Sequence, residues 1–421
     1  MNRIFTYISL LFIVISCLNL ENENPYNENT HEMTINLSFQ DDINEKKSSG
    51  IEIELYNINT RMVSKTSTGE NGIAKITLVN GMYRVSAKTI IDNILFNASE
   101  DKVKIEGKDK ELTLNLLEVR PGELLIKEMY FGGCMVYDKN SDKPDKKEEY
   151  QIDKYFVLHN NTEKVYYLDS LCIGTIDPYN SNSAHNVWLE KDKNGNIVYP
   201  SFLPVIQAIW RIPGDGKSFP LQPGEDAFIV THAAIDHTAK YLESVNLDRK
   251  GFFVCYNPKF FDNVLYHPVP GPNIEKNRYM DVVIKTGKAN AYAFSVNSPT
   301  FIIFKAKGQS MENFLSKPGN VIQKPGSDSD KISCIPPEWV IDGVEVFNGL
   351  ASENTKRLLP SIDASAIVLS SAFKGYALKR KINKKASEEK NYEVLMDTND
   401  SKEDFYEVEH ASLWTGMEDE K

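Results

Sequence analysis

The sequence predicts an all-β protein of two β-sandwich domains in tandem, the second with long loop insertions. Three observations carry that expectation. Apolar and polar side chains alternate with period two along much of the chain after Met33, as in strands with one buried face. Turn signals built from Gly, Asn, Asp and Pro recur at short intervals between these runs. Helical periods are scarce, and only His232–Leu242 and Asn354–Leu359 offer short helical candidates.

The chain opens with MNRIFTYISLLFIVISC. Arg3 supplies a positive charge, and Ile4–Ile15 is an apolar run too short to span a bilayer, so residues 1–16 read as a signal peptide. Val14-Ile15-Ser16-Cys17 resembles a bacterial lipobox, which implies that small Ser16 admits the lipoprotein signal peptidase and that the Cys17 sulfur carries the lipid. An ordinary secretory signal is the alternative. Residues 17–32, with Glu21, Glu23 and Glu28, cannot pack a core and read as a flexible tether. The tether loosely resembles the acidic surface-export signals of Bacteroidota lipoproteins, and a plain spacer is the other reading. No later stretch reaches the roughly 18 apolar residues of a membrane-spanning helix. The expected protein is anchored, not spanning.

A length of 421 residues suits two or three domains, and 20 Tyr, 20 Phe and 4 Trp suffice for sizeable cores. Removing residues 1–16 takes away one Arg and no acid, leaving 47 basic against 59 acidic residues, a balance of −12. That excess argues against nucleic acid or anionic lipid surfaces as partners, since phosphate binding needs positive patches. Beyond Cys17, the cysteines Cys134, Cys172, Cys255 and Cys334 allow three pairings but contain no CxxC, so a zinc knuckle has no support. Buried free thiols are expected.

Residues 33–120 read as six or seven closely spaced strands: MTINLSF, GIEIELYN, MVSKTST, IAKITL, GMYRVSAKT and the pair KVKIEG and KELTLNLLEV. Glu52 and Glu54 alternate with Ile51, Ile53 and Leu55, as in a strand with one wet face. Glu70-Asn71-Gly72 marks a tight turn, and Asn80-Gly81 predicts a type I′ hairpin. Thr68, Gly72, Ala74, Leu78, Gly81, Tyr83 and Val85 stand at the spacing of the carboxypeptidase-regulatory-like or prealbumin-like module, which this stretch resembles. The resemblance implies a spacer or presentation domain.

Arg120-Pro121-Gly122 marks the boundary before a second domain over residues 121–410, with 411–421 as a tail. Gly122–Ile173 gives a strand signal, a polar loop and two more strand signals. Asp281–Ile284, two runs within Ala291–Phe304 around Asn297-Ser298-Pro299, and Val340–Phe347 add further strands. Asp138–Glu149, Pro318–Lys331 and Lys384–Lys390 read as polar surface loops. Ile126 and Glu128, Asp153–Asn161, Tyr167–Leu171, Phe219–Val230, Gly375–Arg380 and Asp397–Phe405 resemble, in order, the motifs of the lamin-tail type of immunoglobulin-like sandwich. Val157 stands where that family has Glu, and Ala377 where it has Ser. Trp210–Gly216, Ala233–His237 and Leu358–Asp363 resemble a domain-of-unknown-function family (DUF4876) of Bacteroidota lipoproteins. That resemblance implies a genomic setting beside TonB-dependent outer-membrane receptors.

Residues that could carry chemistry are few. On a helix, His232 and Asp236 would share one face, with His237 adjacent, so a metal or acid–base pair is conceivable; strand-end packing and capping are the structural alternative. Asp138, Asn140, Asp142 and Glu149 have calcium-loop spacing, but Lys143 occupies the glycine position, which favours a solvated loop. The Asp397–Asp404 run offers carboxylates for Ca²⁺, or ordinary turn chemistry. Tyr130, Tyr137, Trp188, Trp210, Trp339 and Trp414 are aromatics that could stack on a ligand or fill cores. No GxSxG, HExxH, Walker loop or GxGxxG occurs.

The expectation is therefore an outer-membrane, cell-surface lipoprotein with no catalytic residues, metal or cofactor. It would act as a non-catalytic ligand-binding or accessory subunit of a TonB-dependent uptake system. Trp188, Trp210, His232, Asp236 and His237 are the candidate contacts, in the loops Trp188–Ser218 and His232–His267, for a small molecule, glycan or protein. The alternatives are a structural or adhesive surface protein, and a hydrolase of glycans or phosphoesters.

Overall fold

The computed structural model describes residues 30–39, 48–92, 94–119, 122–137, 146–182, 186–193 and 197–415. Strands dominate throughout, as the alternation predicts. The signal peptide, Cys17 and the tether lie outside the described residues, as do Asp138, Asn140 and Asp142.

The first sandwich comprises β1 (Thr30–Phe39), β2 (Glu52–Asn57), β3 (Val63–Ser67), β4 (Ile73–Val79), β5 (Gly81–Ile91), β6 (Ile94–Ile105) and β7 (Lys110–Val119). Their spatial order is β3-β2-β5-β6-β7-β1-β4. β7 serves both faces: residues 110–116 run parallel to β1, whereas 117–119 pair with β6. Met33, Ile35, Ile53, Leu55, Val85, Leu112 and Leu114 point inward and form the core. Gly72 takes φ +73°, and a Cβ there would meet Ser48 Oγ at 2.7 Å, so this turn requires glycine. The Asn80-Gly81 hairpin is a correction. A type I′ turn needs positive φ at both residues and neither has it. Instead β4 pairs with β1, and β5 with β2 and β6, so this step carries the chain between the two sides of the sandwich.

The second sandwich has one sheet in the spatial order Phe253–Val254, Asp226–Val230, Tyr155–Asn160, Leu124–Tyr130, Ala377–Arg380 and Phe405–Val408. Its other sheet runs Val321–Gln323, Lys331–Ile335, Leu203–Arg211, Cys172–Ile176, Thr300–Phe304, Val340–Asn348 and Ile367–Leu369, with Asp281–Lys285 also paired to Leu203–Arg211. Phe156 and Ile229 from the first sheet meet Ile173, Trp210, Phe301 and Val344 from the second.

Four local expectations are revised. Of Ala291–Phe304 only Thr300–Phe304 is a strand, because side chains capture the earlier backbone: Tyr292 N–H donates to His267 Nε2 (3.0 Å) and Ala293 N–H to Gln207 Oε1 (3.0 Å). His232–Leu242 contains only the 3₁₀ turn His237–Ala239, since Asp236 is extended (φ −80°, ψ 97°) and caps Thr238 N–H. Asn354–Leu359 is not helical. Its Arg357 dives to Glu345, and its Asn354 side chain bonds the backbone of Asn348 and Leu350. Conversely, Lys384–Lys390 is a helix, opened by the Asn383 cap on Ala386 N–H and closed by left-handed Asn391.

Asp397–Asp404 resolves as a turn leading into the short helix Ser401–Asp404. Asp342, Asp397 and Asp404 converge on Arg380 at 2.6, 3.2 and 3.5 Å, so a guanidinium supplies the positive charge a Ca²⁺ cage would ask of a metal. Cys134, Cys172, Cys255 and Cys334 are all buried free thiols. Among the described residues no helix is long and apolar enough to cross a membrane, and no group of three or more His, Cys, Asp or Glu could hold a metal ion.

Candidate binding cleft between the sandwiches

The wet face predicted for the Glu52–Leu55 run does not look into open solvent. It floors a cleft of about 270 Å³ whose far wall belongs to the second sandwich. Period-two alternation sends Ile53, Leu55, Val85, Ala87 and Ala98 into the first core and their neighbours outward. The outward side chains then form three rows. Tyr56 stands opposite Arg84, which bonds Asp101; Glu54 is opposite Ser86, and Ser86 opposite Ser99; Lys88 is opposite Asn97, with Glu52 at the edge. The serines at the centre are short and the residues around them long, which gives a sheet face some depth.

Ala364, Ser365, Thr398, Asp400, Lys402 and Glu403 form the opposing wall. Asn97 Nδ2 donates to Thr398 O (2.8 Å), Lys102 Nζ to Thr355 Oγ1 (3.2 Å), and Ile197 N–H to Glu100 Oε1 (3.3 Å), so hydrogen bonds tie the sandwiches together beside the cleft. Lys402 Nζ lies 5.4 Å from the centre of the Tyr56 ring. Asp400 is occupied: it caps Lys402 and Glu403 N–H and accepts from the Ser365 hydroxyl.

Arg84 is the most deeply placed charge of the lining, 8% exposed. Burial works against its charge, but Asp101, with Asp400 and Asp363 farther off, raises its pKa overall and keeps the guanidinium protonated. Only Nε is used, donating to Asp101 Oδ1 at 3.1 Å. Among the described residues the two η nitrogens make no hydrogen bond, nor do the Ser86 and Ser99 hydroxyls or the Glu54 and Glu403 carboxylates. On the flank of the cleft, burial pushes the Glu100 carboxyl up to about 7, partly offset by the Ile197 N–H. The lining contains no cysteine or histidine, and its hydroxyls on Ser365 and Thr398 donate to Asp400 and Asp404, carboxylates that also accept backbone N–H groups. What it offers is a set of donors and acceptors held apart.

None of the residues nominated from the sequence as ligand contacts lines this cleft, although Thr398, Asp400, Lys402 and Glu403 of the Asp397–Asp404 run do. Trp210 is fully buried, stacked on Phe261 in the core of the second sandwich. Trp188 is buried too, donating its Nε1–H to Asp177 (2.8 Å). His232 and His237 are each 2% exposed. His237 bonds Tyr150 OH and Ala233 O, and His232 bonds Thr231. Burial first, then neighbouring positive charge, lowers the His232 pKa well below the imidazole range. Asp236 is exposed and caps the 3₁₀ turn, so the expected helical face shared with His232 does not form. Tyr130 and Trp339 are core residues, and Trp414 stacks on His410. The loop after Asn257 does present apolar side chains, with Val264 77% and Val269 73% exposed.

Sequence reasoning passed over the cleft because its two walls lie some 300 residues apart and each reads as an ordinary wet surface. The signal within reach was the pairing of Glu-x-Glu-x-Tyr with Arg-x-Ser-x-Lys on strands that share a face.

Across the chain, residues 222–412 match the family model described as protein of unknown function (DUF4876). Over that stretch the chain is similar to the DUF4876 family. The resemblance to that family is borne out, with Ala233–His237 and Leu358–Asp363 inside the matched stretch and Trp210–Gly216 before it. The DUF4876 match includes the 364–403 wall of the cleft and excludes its β2-β5-β6 floor. A DUF4876 family protein from Bacteroides thetaiotaomicron VPI-5482 has a similar fold, with TM-score 0.55 at 20% identity, covering 89% of this chain and 94% of that one. A DUF3823 family protein from Parabacteroides merdae ATCC 43184 matches at TM-score 0.17 and 11% identity over 44% of this chain and 82% of its own. The Bacillus anthracis TIE protein matches at TM-score 0.16 and 12% identity over 47% and 48%. No curated protein matches the chain.

Proposed function

We propose that this protein is a lipid-anchored, cell-surface outer-membrane protein that binds a ligand without transforming it, as an accessory subunit of a TonB-dependent uptake system. The observation that carries the binding role is the inter-sandwich cleft. The Arg84 η nitrogens, the Ser86 and Ser99 hydroxyls and the Glu54 and Glu403 carboxylates make no hydrogen bond among the described residues, and the lining holds no cysteine or histidine. Anchoring rests on the Ile4–Ile15 run and the lipobox ending in Cys17. The uptake partner rests on the setting that the family likeness implies.

The test uses the full chain in its native membrane. Cys17→Ser should move the protein from the membrane to the soluble fraction. Cross-linking of the lipidated chain should recover a TonB-dependent barrel receptor in equal molar amount. Membrane retention of Cys17→Ser would remove the lipid anchor from this reading, and a lipidated chain that cross-links to no barrel would leave a structural or adhesive role in its place.

A further inference from the structure

We infer that the inter-sandwich cleft takes a neutral polyhydroxylated ligand, a saccharide, seated over Ser86 and Ser99 and bridging Arg84 to Glu54 and Glu403. This deepens the binding role proposed above and rests on it.

Chemical complementarity selects the class. The cleft presents strong donors in the Arg84 η nitrogens and strong acceptors in the Glu54 and Glu403 carboxylates, and among the described residues none of these is hydrogen-bonded to another protein group. An anionic ligand would satisfy Arg84, Lys88 and Lys402 but would meet the Glu54 and Glu403 carboxylates, since only Glu52, held by Lys65, and Asp400, held by its caps and Ser365, already have donors. An ammonium ligand would satisfy those acids and cover the Arg84 η nitrogens without accepting from them. A hydroxyl does both, accepting from the guanidinium and donating to a carboxylate. Several hydroxyls on a rigid ring do so at once with little conformational entropy to lose.

Shape points the same way. Serines 86 and 99 face each other at the middle of the pleated floor, so the depth lies at the centre, between Tyr56 and Arg84 at one end and Lys88 and Asn97 at the other. Tyr56 adds an aromatic face, now beside the Lys402 ammonium. Both sandwiches contribute, and hydrogen bonds between them hold the walls in place before any ligand arrives.

The experiment is calorimetric titration of the soluble full-length mature chain with three sets of probes. These are neutral hexasaccharides (malto-, cello-, xylo- and mannohexaose), oligogalacturonate as an acidic saccharide, and glycylglycine as a zwitterion. Ser86→Phe fills the floor from an outward-facing position without entering the core, and circular dichroism verifies its fold. Ser99→Phe serves as a second variant, for the case in which the first misfolds. The expected result is that at least one neutral hexasaccharide binds, and that the filled variant weakens it at least tenfold. Cleft-dependent binding of only the acidic saccharide would overturn the neutral class, binding of only the zwitterion would overturn the saccharide class, and either would leave the binding role standing. Binding of a neutral hexasaccharide that neither filled variant alters would move the site elsewhere. Absence of binding by every neutral probe would overturn the inference, while the receptor cross-linking above remains an independent reading of the accessory role.

Discussion

Glu100 is a carboxyl held part-way out of water, with one weak hydrogen bond from Ile197 N–H and with Asp101 and Asp192 adding negative potential. Burial is the largest cause of its raised pKa of about 7, against an ordinary 4.5. Between those values the folded chain binds more protons than the unfolded one, so this group's contribution to stability is full at low pH and is lost as pH rises toward 7. Glu100→Gln keeps an acceptor for Ile197 and removes the titration. Urea midpoints measured from pH 5 to 8 should therefore fall less steeply in Glu100→Gln than in the parent. Parallel curves would show that Glu100 titrates alike in both states. Nothing in the sequence marks this residue, because Glu100 differs from Glu52 or Glu54 only in what a distant hairpin brings over it. The same limit applies to His232 and His237. Their spacing invited a chemical reading, but the imidazoles turn inward to Thr231, Tyr150 and Ala233.

Elements were more legible than contacts. The strands of the first sandwich follow the alternation closely, down to β7, whose KELTLNLLEV run keeps its leucines inward at 112, 114 and 116. Errors arose where side chains compete with the backbone. Gln207 and His267 capture the 291–293 backbone, and Asn383 starts a helix in a stretch whose charge content suggested a loop. Strand Leu203–Arg211 illustrates the other failure. Trp210 read as a loop aromatic, but its indole lies fully buried between the two sheets with Nε1 making no hydrogen bond. Trp210→Ala should cost roughly 3–5 kcal/mol by opening a cavity. Trp210→Phe should cost clearly less, since it keeps much of the volume and forfeits no indole hydrogen bond. Equal losses in denaturant titrations of the two variants would remove Trp210 from the core assignment.

At the scale of the whole molecule, buried charge joins segments remote in sequence. Arg380 donates to Ile126 O on one sheet, to Asp342 on the other, and to Met396 O, Asp397 and Asp404 of the closing segment. Arg380→Met would leave three carboxylates without their counter-charge, at a cost of about 3–5 kcal/mol near neutral pH. Burial already raises the pKa of Asp342 and Asp404, so acidification neutralises them readily and the deficit should shrink as pH falls toward 5. A deficit unchanged between pH 8 and 5 would mean that lost packing, not stranded charge, is responsible. The all-β class and the two sandwiches could be read from the chain because alternation is local. The cleft could not, because it exists only once β2, β5 and β6 meet residues 364–403.

That last point bears on how the protein is made. Asn97 reaches Thr398, 301 positions further along the chain. Synthesis proceeds from the amino end, so the floor emerges long before its wall. A molecule interrupted anywhere short of its final segments would present a folded first sandwich with half a recognition surface. The cleft thus closes only when residues 364–403 have been delivered.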